Sequence, residues 1–381
     1  MIYLDNGATT FPKPESVYES VMDCMKNYGA NPGRGSHKLS MRALSEIYET
    51  RENLAKLFNI ENPMNIIFTS NATEALNLAI KGFLKSGDHL ITTSIEHNSV
   101  IRPIKALESI GIENTIVECD KEGFLNIDDL ENAIKQNTKL IVTTHSSNVC
   151  GSIIDIKKVG ELCKKYHITY LVDASQTAGV YDIDVKDYNI DMLACAGHKN
   201  LFGPQGSGIL YVNDNIKLDE LKQGGTGSSS LELFQPDVYP DKYESGTPNT
   251  PAIAGLNAGV KFILSEGIEN IRKKEEELCK YMINKLLEIK DVKIYGSLDS
   301  KKRTAVIPIN IGNLDSGEVS FLLDSEYDIC TRPGIHCSPL CHQTLGSLNQ
   351  GAVRFSIGYF NTKDDIDKTI EALKEIIQKI S

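Results

Sequence analysis

The chain has 381 residues, a formal net charge of −11 at pH 7, 41% hydrophobic residues and 24% charged residues. This is the composition of an ordinary globular protein, long enough for two domains, and its negative charge argues against non-specific binding to nucleic acid. No apolar run approaches the roughly 20 residues of a membrane span, so we expect no membrane segment. The N-terminus lacks a secretory pattern and the nine cysteines are an odd number, which favours free thiols and a cytoplasmic location.

Apolar strand-like runs alternate with helical patterns from about residue 65 to residue 212. Helices between these runs include those predicted at 72–84 and 99–109. Strands are predicted at 65–69, 89–93, 114–118, 140–144, 170–173, 192–195 and 208–212. Such alternation indicates a largely parallel sheet covered on both faces, and ligands of these sheets lie beyond the carboxyl ends of the strands.

The pattern changes after residue 250, where two long helices are predicted at 252–265 and 268–289. Shorter strands at 292–295, 305–310 and 352–357 then precede a closing helix at 363–380. We therefore predict an α/β fold with two domains. The large domain is 13–255, and the smaller α+β C-terminal domain is 256–381, joined by the N-terminal residues 1–12.

An acid and a lysine lie at the ends of neighbouring predicted strands. Asp173 ends the strand at 170–173, and Lys199 follows the strand at 192–195 within the segment AGHKN. Pyridoxal phosphate needs a lysine that bonds to its aldehyde and an acid that keeps its pyridine nitrogen protonated. Either residue alone is more often a surface lysine or a capping acid, but several other polar segments at strand ends favour the cofactor.

These segments supply hydroxyl, imidazole and amide groups. Thr73 lies in SNATEALN at a predicted helix N-terminus, which suits a phosphate, although a simple N-cap is the commoner meaning. His97 could stack on a heteroaromatic ring and transfer protons, although a lone histidine is more often structural. Asn148 and Gln176 could donate hydrogen bonds to a ring oxygen. Thr247, in YESGTPN, could serve a phosphate or merely lead into the next helix.

The order and content of these motifs, from residues 3–10 (YLDNGATT) to 354–362 (RFSIGYFNT), resemble the class V aminotransferase group of fold-type I pyridoxal-phosphate enzymes. Within that group the chain is most similar to the cysteine desulfurase and selenocysteine lyase family. The resemblance implies that Lys199 bonds to pyridoxal 5′-phosphate, that Asp173 faces the pyridine nitrogen and that His97 stacks on the ring.

The resemblance also implies roles for the other polar residues. Thr73 and His198 would hold the phosphate, while Gln176 and Asn148 would contact the ring hydroxyl side and the substrate. Thr247 would reach the phosphate of the partner subunit, because members of this family form homodimers.

Two further segments bear on this resemblance. Many relatives carry a serine or threonine three residues before the lysine, where this chain has Ala196, so one phosphate contact is missing at a cost of about 1 kcal/mol. Arg34 and His37, in NPGRGSH, resemble a family segment near the mouth of the site.

The segment RPGIHCSPLCH, residues 332–342, resembles the active-site loop of desulfurases, in which a cysteine attacks the substrate sulfur and becomes a persulfide. By position that cysteine is Cys337, and thiolates near cationic groups are good nucleophiles. The short spacing before Pro339 is closer to the group II, SufS-like pattern. This pattern implies a constrained loop and a slow enzyme unless a sulfur acceptor intervenes.

Three alternatives remain for this segment. Cys337 could be a small buried residue, since cysteine is commonly buried. His336, Cys337, Cys341 and His342 could bind a metal, but two adjacent His-Cys pairs would hardly converge on one ion, so we expect no metal. Cys341 could share the work as a resolving thiol or a persulfide relay.

Arg354 lies in a strand-like run, where a charged side chain is unlikely to be buried without an anion. The resemblance implies that it binds the carboxylate of an amino-acid substrate through two parallel hydrogen bonds. The alternative is a structural ion pair. Arg332 is a plausible second anion contact.

The predicted activity is therefore conversion of L-cysteine to L-alanine, with transfer of the sulfur to Cys337 as a persulfide. His97 is the candidate that handles protons on the substrate thiol. The alternative keeps the cofactor without using Cys337, as a selenocysteine lyase acting on L-selenocysteine or as another class V aminotransferase, β-lyase or epimerase. A sulfur-acceptor protein is an expected partner. A non-catalytic scaffold is disfavoured, because it has no need for Lys199, Asp173 and Arg354 together.

Overall fold

The computed structural model describes residues 1–33 and 35–380, so Arg34 lies outside the described residues. The first part of the chain contains the elements of the central sheet and the helices around it. Up to residue 212 the elements are β1 (Ile2–Tyr3), α1 (Glu15–Asp23), α2 (Lys38–Phe58), β2 (Ile66–Thr69), α3 (Ala72–Phe83), β3 (His89–Thr93), α4 (Asn98–Leu107), β4 (Glu113–Val117), α5 (Ile127–Asn132), β5 (Thr138–Thr144), α6 (Ile156–Tyr166), β6 (Thr169–Asp173), β7 (Met192–Ala196) and β8 (Gly208–Val212).

The central sheet has the strand order β2-β8-β7-β6-β5-β3-β4. Its strands run parallel except β8, which pairs antiparallel with both β2 and β7. The predicted α/β fold with a mostly parallel sheet is confirmed. As a consequence, the carboxyl ends of β2, β3, β5, β6 and β7 all lie at one edge of the sheet.

Both faces of this sheet are covered, as the unbroken apolar strands predict. Successive side chains of a strand point to opposite faces, and in β6 Tyr170 and Val172 join one hydrophobic cluster whereas Leu171 joins another. The cores therefore lie above and below the sheet and leave the strand ends free for polar groups.

The C-terminal part is a second, smaller packing unit. Its elements are α7 (Thr250–Glu266), α8 (Ile268–Leu287), β9 (Val292–Ile294), β10 (Val306–Ile311), α9 (Ser316–Tyr327), β11 (Ile329–Cys330), α10 (Pro339–Leu345), β12 (Val353–Ser356) and α11 (Lys363–Ile380). Strands β12, β10 and β9 form an antiparallel sheet, and β1 pairs in parallel with β11. Leu4 packs in the core of this part, with residues from Leu278 onward.

The predicted domain boundary, between residues 255 and 256, falls inside helix α7. This helix packs against α1 and α2, and its buried residues Leu256, Val260 and Ile263 belong to the core beneath the central sheet. A continuous helix hides the change of domain from a reading of local composition. Across residues 1–33 and 35–380, no helix is both long and apolar enough to cross a membrane.

Candidate active site

The predicted polar residues meet at the carboxyl edge of the central sheet. Thr73 follows β2, His97 follows β3, Asn148 follows β5, Asp173 ends β6 and Lys199 follows β7. They line one cavity of about 190 Å³, hereafter the central cavity, whose wall also includes Gln176, His198 and Arg332. Parallel strands bring these residues together although 126 residues separate the first from the last, 199 − 73.

Asp173 is a buried carboxylate held in one orientation. Its Oδ1 accepts hydrogen bonds from the backbone N–H and the hydroxyl of Ser175, at 3.0 and 2.5 Å. Because one oxygen is used in this way, the other is left for a group in the central cavity. Charge-assisted bonds of this kind hold a carboxylate firmly, as an acid facing a protonated ring nitrogen requires.

Lys199 lies on the wall opposite solvent, just beyond the end of β7. Burial lowers the pKa of Lys199 to about 8, with Asp173 opposing this shift and the guanidinium groups of Arg354 and Arg332 adding to it. At pH 7 about one molecule in ten then carries the neutral amine. The amine is therefore available as a nucleophile and as a base.

Thr73, Ser99 and His97 form a hydrogen-bonded chain beside the N-terminus of α3. The hydroxyls of Thr73 and Ser99 are 2.7 Å apart, and Ser99 Oγ is 2.9 Å from His97 Nδ1. The backbone N–H of Ser99 donates to the same Nδ1, so this nitrogen is an acceptor and the proton of the neutral ring is on Nε2. Burial, helped by the charge of Lys199, lowers the pKa of His97 to about 4, which keeps the ring neutral at pH 7.

The N-terminus of α3 offers donors to an anion. Asn71 caps the helix by accepting the N–H of Glu74, which leaves earlier N–H groups of the first turn without helical partners. Ser99 was missed in the sequence analysis, although its position two residues after His97 at a helix start is a recognisable signal. Its hydroxyl lies on the same cavity wall as Ala196, where many relatives carry a hydroxyl.

The N-terminal segment forms another wall of the central cavity, which the sequence did not predict. Gly7 and Ala8 line it, and the carbonyl of Gly7 accepts a hydrogen bond of 3.0 Å from Gln176 Nε2. His198 Nδ1 is 3.1 Å from the hydroxyl of Thr9. Burial, with the nearby charges of Lys199 and Lys13, lowers the pKa of His198 to about 4.

Arg354 does not line the central cavity. It is fully buried on β12, and it donates to Asp5 Oδ1 at 2.7 Å and to the carbonyl of Asn148 at 2.9 Å. This is the structural ion pair considered above as the alternative. Arg354 lies directly behind Gly7, since a Cβ built on Gly7 would be 3.3 Å from the guanidinium carbon, and its Nε has no partner among the described residues.

Thr247 lies elsewhere, on a separate cavity of about 560 Å³ next to the loop that follows β8. Its hydroxyl accepts a hydrogen bond of 3.3 Å from Asn31 Nδ2. A residue so placed does not contribute to the central cavity of its own chain. The prediction that it serves a partner subunit is untested by this geometry. His37 caps α2 through its Nδ1, 3.3 Å from the N–H of Ser40.

Cys337 is exposed, in the loop between β11 and α10, so the alternative of a small buried residue is wrong. His336 and Cys337 both have positive φ values, 53° and 61°, a conformation that costs about 1–2 kcal/mol for each residue with a Cβ. The N–H of Asn98 donates to the carbonyl of Cys337 at 2.8 Å, and Arg332 Nη2 is 3.4 Å from Sγ. The thiol is thus held in a defined position beside Arg332, which also lines the central cavity.

Asn148 holds the residues on either side of Cys337. Its Nδ2 donates to the carbonyl of His336, and its Oδ1 accepts from the hydroxyl of Ser338, both at 2.8 Å. The side chain therefore binds the loop in this structure, whereas the sequence suggested a contact with a ring oxygen. Its contact with a cofactor stays a prediction.

Two stacked histidines support the same loop from below. His336 Nε2 lies 2.9 Å from the carbonyl of Arg332 and must donate to it, so His336 Nδ1 accepts from His342 Nε2 at 3.0 Å, and His342 Nδ1 accepts from Ser347 at 2.7 Å. Burial lowers the pKa of His336 to about 2 and that of His342 to about 4.

These contacts account for the remaining alternatives. Cys341 is buried and contacts the hydroxyl of Ser147 at 3.4 Å, so it does not share the exposed position of Cys337. In the parts of the chain that the structure describes, no group of three or more histidine, cysteine or acidic residues is arranged to hold a metal ion.

Comparisons with known proteins agree with this geometry. The family model for class-V aminotransferases matches residues 2–369. A probable cysteine desulfurase of Methanothermobacter thermautotrophicus is 33% identical over 382 residues, covering 98% of this chain and 94% of the relative. The cysteine desulfurase IscS of Clostridium botulinum is 32% identical, covering 99% and 94%. The apo structure of a cysteine desulfurase from Thermococcus onnurineus superposes with a TM-score of 0.93 at 32% identity, covering 99% of this chain and 95% of that one.

Proposed function

The chain belongs to the class-V aminotransferase family, and we propose that it is a pyridoxal-phosphate-dependent cysteine desulfurase that converts L-cysteine to L-alanine. The observation that carries this proposal is the pairing of two features. Lys199 and Asp173 line one cavity, and the exposed thiol of Cys337 is held by Arg332 of the same cavity. Relatives named cysteine desulfurase match the chain along nearly its whole length.

The residues of the central cavity fit the cofactor. Lys199 would bond to its aldehyde, Asp173 would face the ring nitrogen, and His97 would lie against the ring. The phosphate would be held at the N-terminus of α3 by Thr73, with His198 nearby, while Gln176 and Asn148 would face the ring hydroxyl. When bound, pyridoxal phosphate supplies an electron sink for the negative charge that develops at the substrate Cα.

The side chains of the cavity can move the protons that the reaction needs. The lowered pKa of Lys199 makes its neutral amine available to accept the proton of the substrate Cα. His97 holds a proton on Nε2 that it can donate to a sulfur or carbon atom of the substrate, because its Nδ1 is engaged by Ser99. Neither step needs water, so the buried setting can exclude it.

Sulfur transfer is assigned to Cys337. Its thiolate bonds to the sulfur of cysteine while the Cβ–S bond breaks, and Cβ gains a proton so that the amino acid leaves as alanine. The electron pair of the broken bond remains with the carbon, and Cys337 becomes a persulfide.

Two arginines are candidates for the substrate carboxylate. Arg332 lines the central cavity, and Arg354 lies behind Gly7 with an unpartnered Nε. Arg332 therefore needs no rearrangement to reach a ligand. Arg354 would bind only across Gly7, the one residue position there without a side chain to block it.

We also propose that the protein is a homodimer. Large apolar side chains are exposed on α1, α2 and the turn between them, including Met25 at 64%, Met41 at 53% and Tyr48 at 48%. A patch of this kind is typical of a protein–protein contact. Thr247 lies apart from the central cavity of its own chain, as expected if it serves a partner subunit.

The proposed function is tested by anaerobic turnover of the pyridoxal-phosphate-loaded enzyme with L-cysteine, measuring alanine and sulfide in the presence of a reductant. The wild type should form both, and Cys337→Ala should lose both while retaining the absorbance of bound cofactor. Cys341→Ala is the matched control, because this buried thiol should be dispensable.

Two outcomes would contradict the proposal. Equal alanine formation by the wild type and Cys337→Ala would exclude a persulfide on Cys337. An enzyme that is inactive with cysteine but releases alanine from L-selenocysteine without Cys337 would instead be a selenocysteine lyase, since selenium leaves more readily.

A further inference from the structure

Cys337 also lines a second cavity, distinct from the central one. This cavity, of about 410 Å³, lies between α3 and α4 and includes Lys81 of α3 and Arg102 of α4. We call it the α3–α4 groove. It shares Thr73, His97 and Ser99 with the central cavity, so these side chains separate the two spaces.

The groove is positively charged and has no acid in its lining. Lys81 and Arg102 are both exposed, and neither forms an ion pair with a carboxylate among residues 1–33 and 35–380. Their neighbours on the same elements differ, since Lys85 pairs with Asp219 and Lys105 with Glu108. Two uncompensated cations beside a reactive thiol favour an anionic ligand.

The position of Cys337 gives the groove a use that the central cavity does not have. The proposed reaction leaves a sulfur atom on Cys337, and that sulfur must pass to a thiol before the enzyme can turn over again. Because the thiol is exposed and lines the groove, an acceptor can approach there while the central cavity remains occupied.

We propose that the α3–α4 groove binds the sulfur acceptor, and that this acceptor is a thiol with a carboxylate or similar anion close to its sulfur. Lys81 and Arg102 would bind the anion and thereby direct the thiol toward Cys337. A space of this size holds a small thiol or a short peptide segment. This inference rests on the proposed function, and it names the chemical class of the acceptor.

The transfer step is balanced without an external oxidant. The acceptor thiolate attacks the outer sulfur of the Cys337 persulfide, and a new sulfur–sulfur bond forms on the acceptor. The bond between Cys337 Sγ and the outer sulfur breaks, its electron pair leaves with Sγ as a thiolate, and the acceptor departs as a persulfide. The proton of the acceptor thiol passes to solvent.

The test separates loading of Cys337 from transfer. The holoenzyme is given one turnover of L-cysteine, its alanine burst is measured, and excess substrate is removed. Loss of persulfide is then followed with 3-mercaptopropionate, which is anionic, and with 2-mercaptoethanol, which is neutral, at matched thiolate concentrations. A short peptide with a cysteine between two glutamates is compared with its glutamine version to distinguish a protein acceptor from a small thiol.

The double variant Lys81→Gln, Arg102→Gln should lower the rate ratio of anionic to neutral thiol at least tenfold, and a double glutamate variant should favour the cationic thiol cysteamine. High salt should reduce the wild-type ratio. Lys105→Gln is the matched control on α4, because its cation is already paired, and it should keep the wild-type ratio.

The possible failures are distinguishable. A wild-type ratio near one, or a ratio unchanged in the double variants while persulfide still forms, overturns the acceptor groove and leaves the proposed function intact. Absence of alanine and persulfide in the wild type overturns the proposed function, and this inference with it.

Discussion

Replacement of His342 by glutamine should make the folded protein less sensitive to acid. His342 is fully buried, and its two ring nitrogens are engaged by His336 and Ser347, so burial lowers its pKa to about 4. In the unfolded chain a histidine has a pKa of about 6.5. Unfolding therefore takes up a proton between these values, and stability is lost as the pH falls below about 6.5.

The size of this effect follows from proton linkage. A group with a pKa of about 6.5 unfolded and about 4 folded destabilises the native state by about 2 kcal/mol when the pH changes from 7 to 5. The variant lacks this group. It should therefore lose about 2 kcal/mol less than the wild type over the same change, whatever its stability at pH 7.

The assay is equilibrium urea unfolding of both holoproteins at pH 7 and pH 5, at equal protein and cofactor concentrations. His167→Asn is the control, since His167 is an exposed residue at the end of α6, and it should show the wild-type difference. If His342→Gln loses as much stability as the wild type between the two pH values, His342 is not held neutral and the hydrogen-bond assignment of the histidine pair is wrong.

Three other predictions follow from single contacts. Ser338→Ala removes the donor to buried Asn148 Oδ1 and should lower the free energy of unfolding by about 1–3 kcal/mol in urea titrations; an unchanged value would mean that water replaces the hydroxyl. In the cofactor-free protein, borohydride trapping of pyridoxal on Lys199 should be half-maximal near pH 8, whereas a midpoint above pH 10 would refute the lowered pKa. Gly160→Ala places a Cβ 1.8 Å from the carbonyl oxygen of Tyr188 and should lower the thermal midpoint by several degrees, an effect absent if the backbone there can shift freely.

Much of the fold could be predicted because it depends on local patterns. Strands such as β3 and β8 are short apolar runs bounded by polar residues, and their predicted ranges match the structure. The antiparallel direction of β8 could not be predicted, because a run of apolar residues carries no information on strand direction. The continuity of α7 across residue 255 was hidden for the same reason, since the burial of a helix depends on what packs against it.

The candidate site shows the same division. The sequence by itself determined which residue types stand at the strand ends, including Asp173 and Lys199, because these are properties of the chain order. Only the tertiary structure decided that Arg354 pairs with Asp5, that Asn148 holds the loop of Cys337, and that this thiol is exposed. Each of these outcomes depends on contacts between segments far apart in the chain, 188 residues for Asn148 and His336 and 349 for Asp5 and Arg354. Local periodicity cannot encode such pairings, because the packing of the two parts of the molecule sets which donors and acceptors meet.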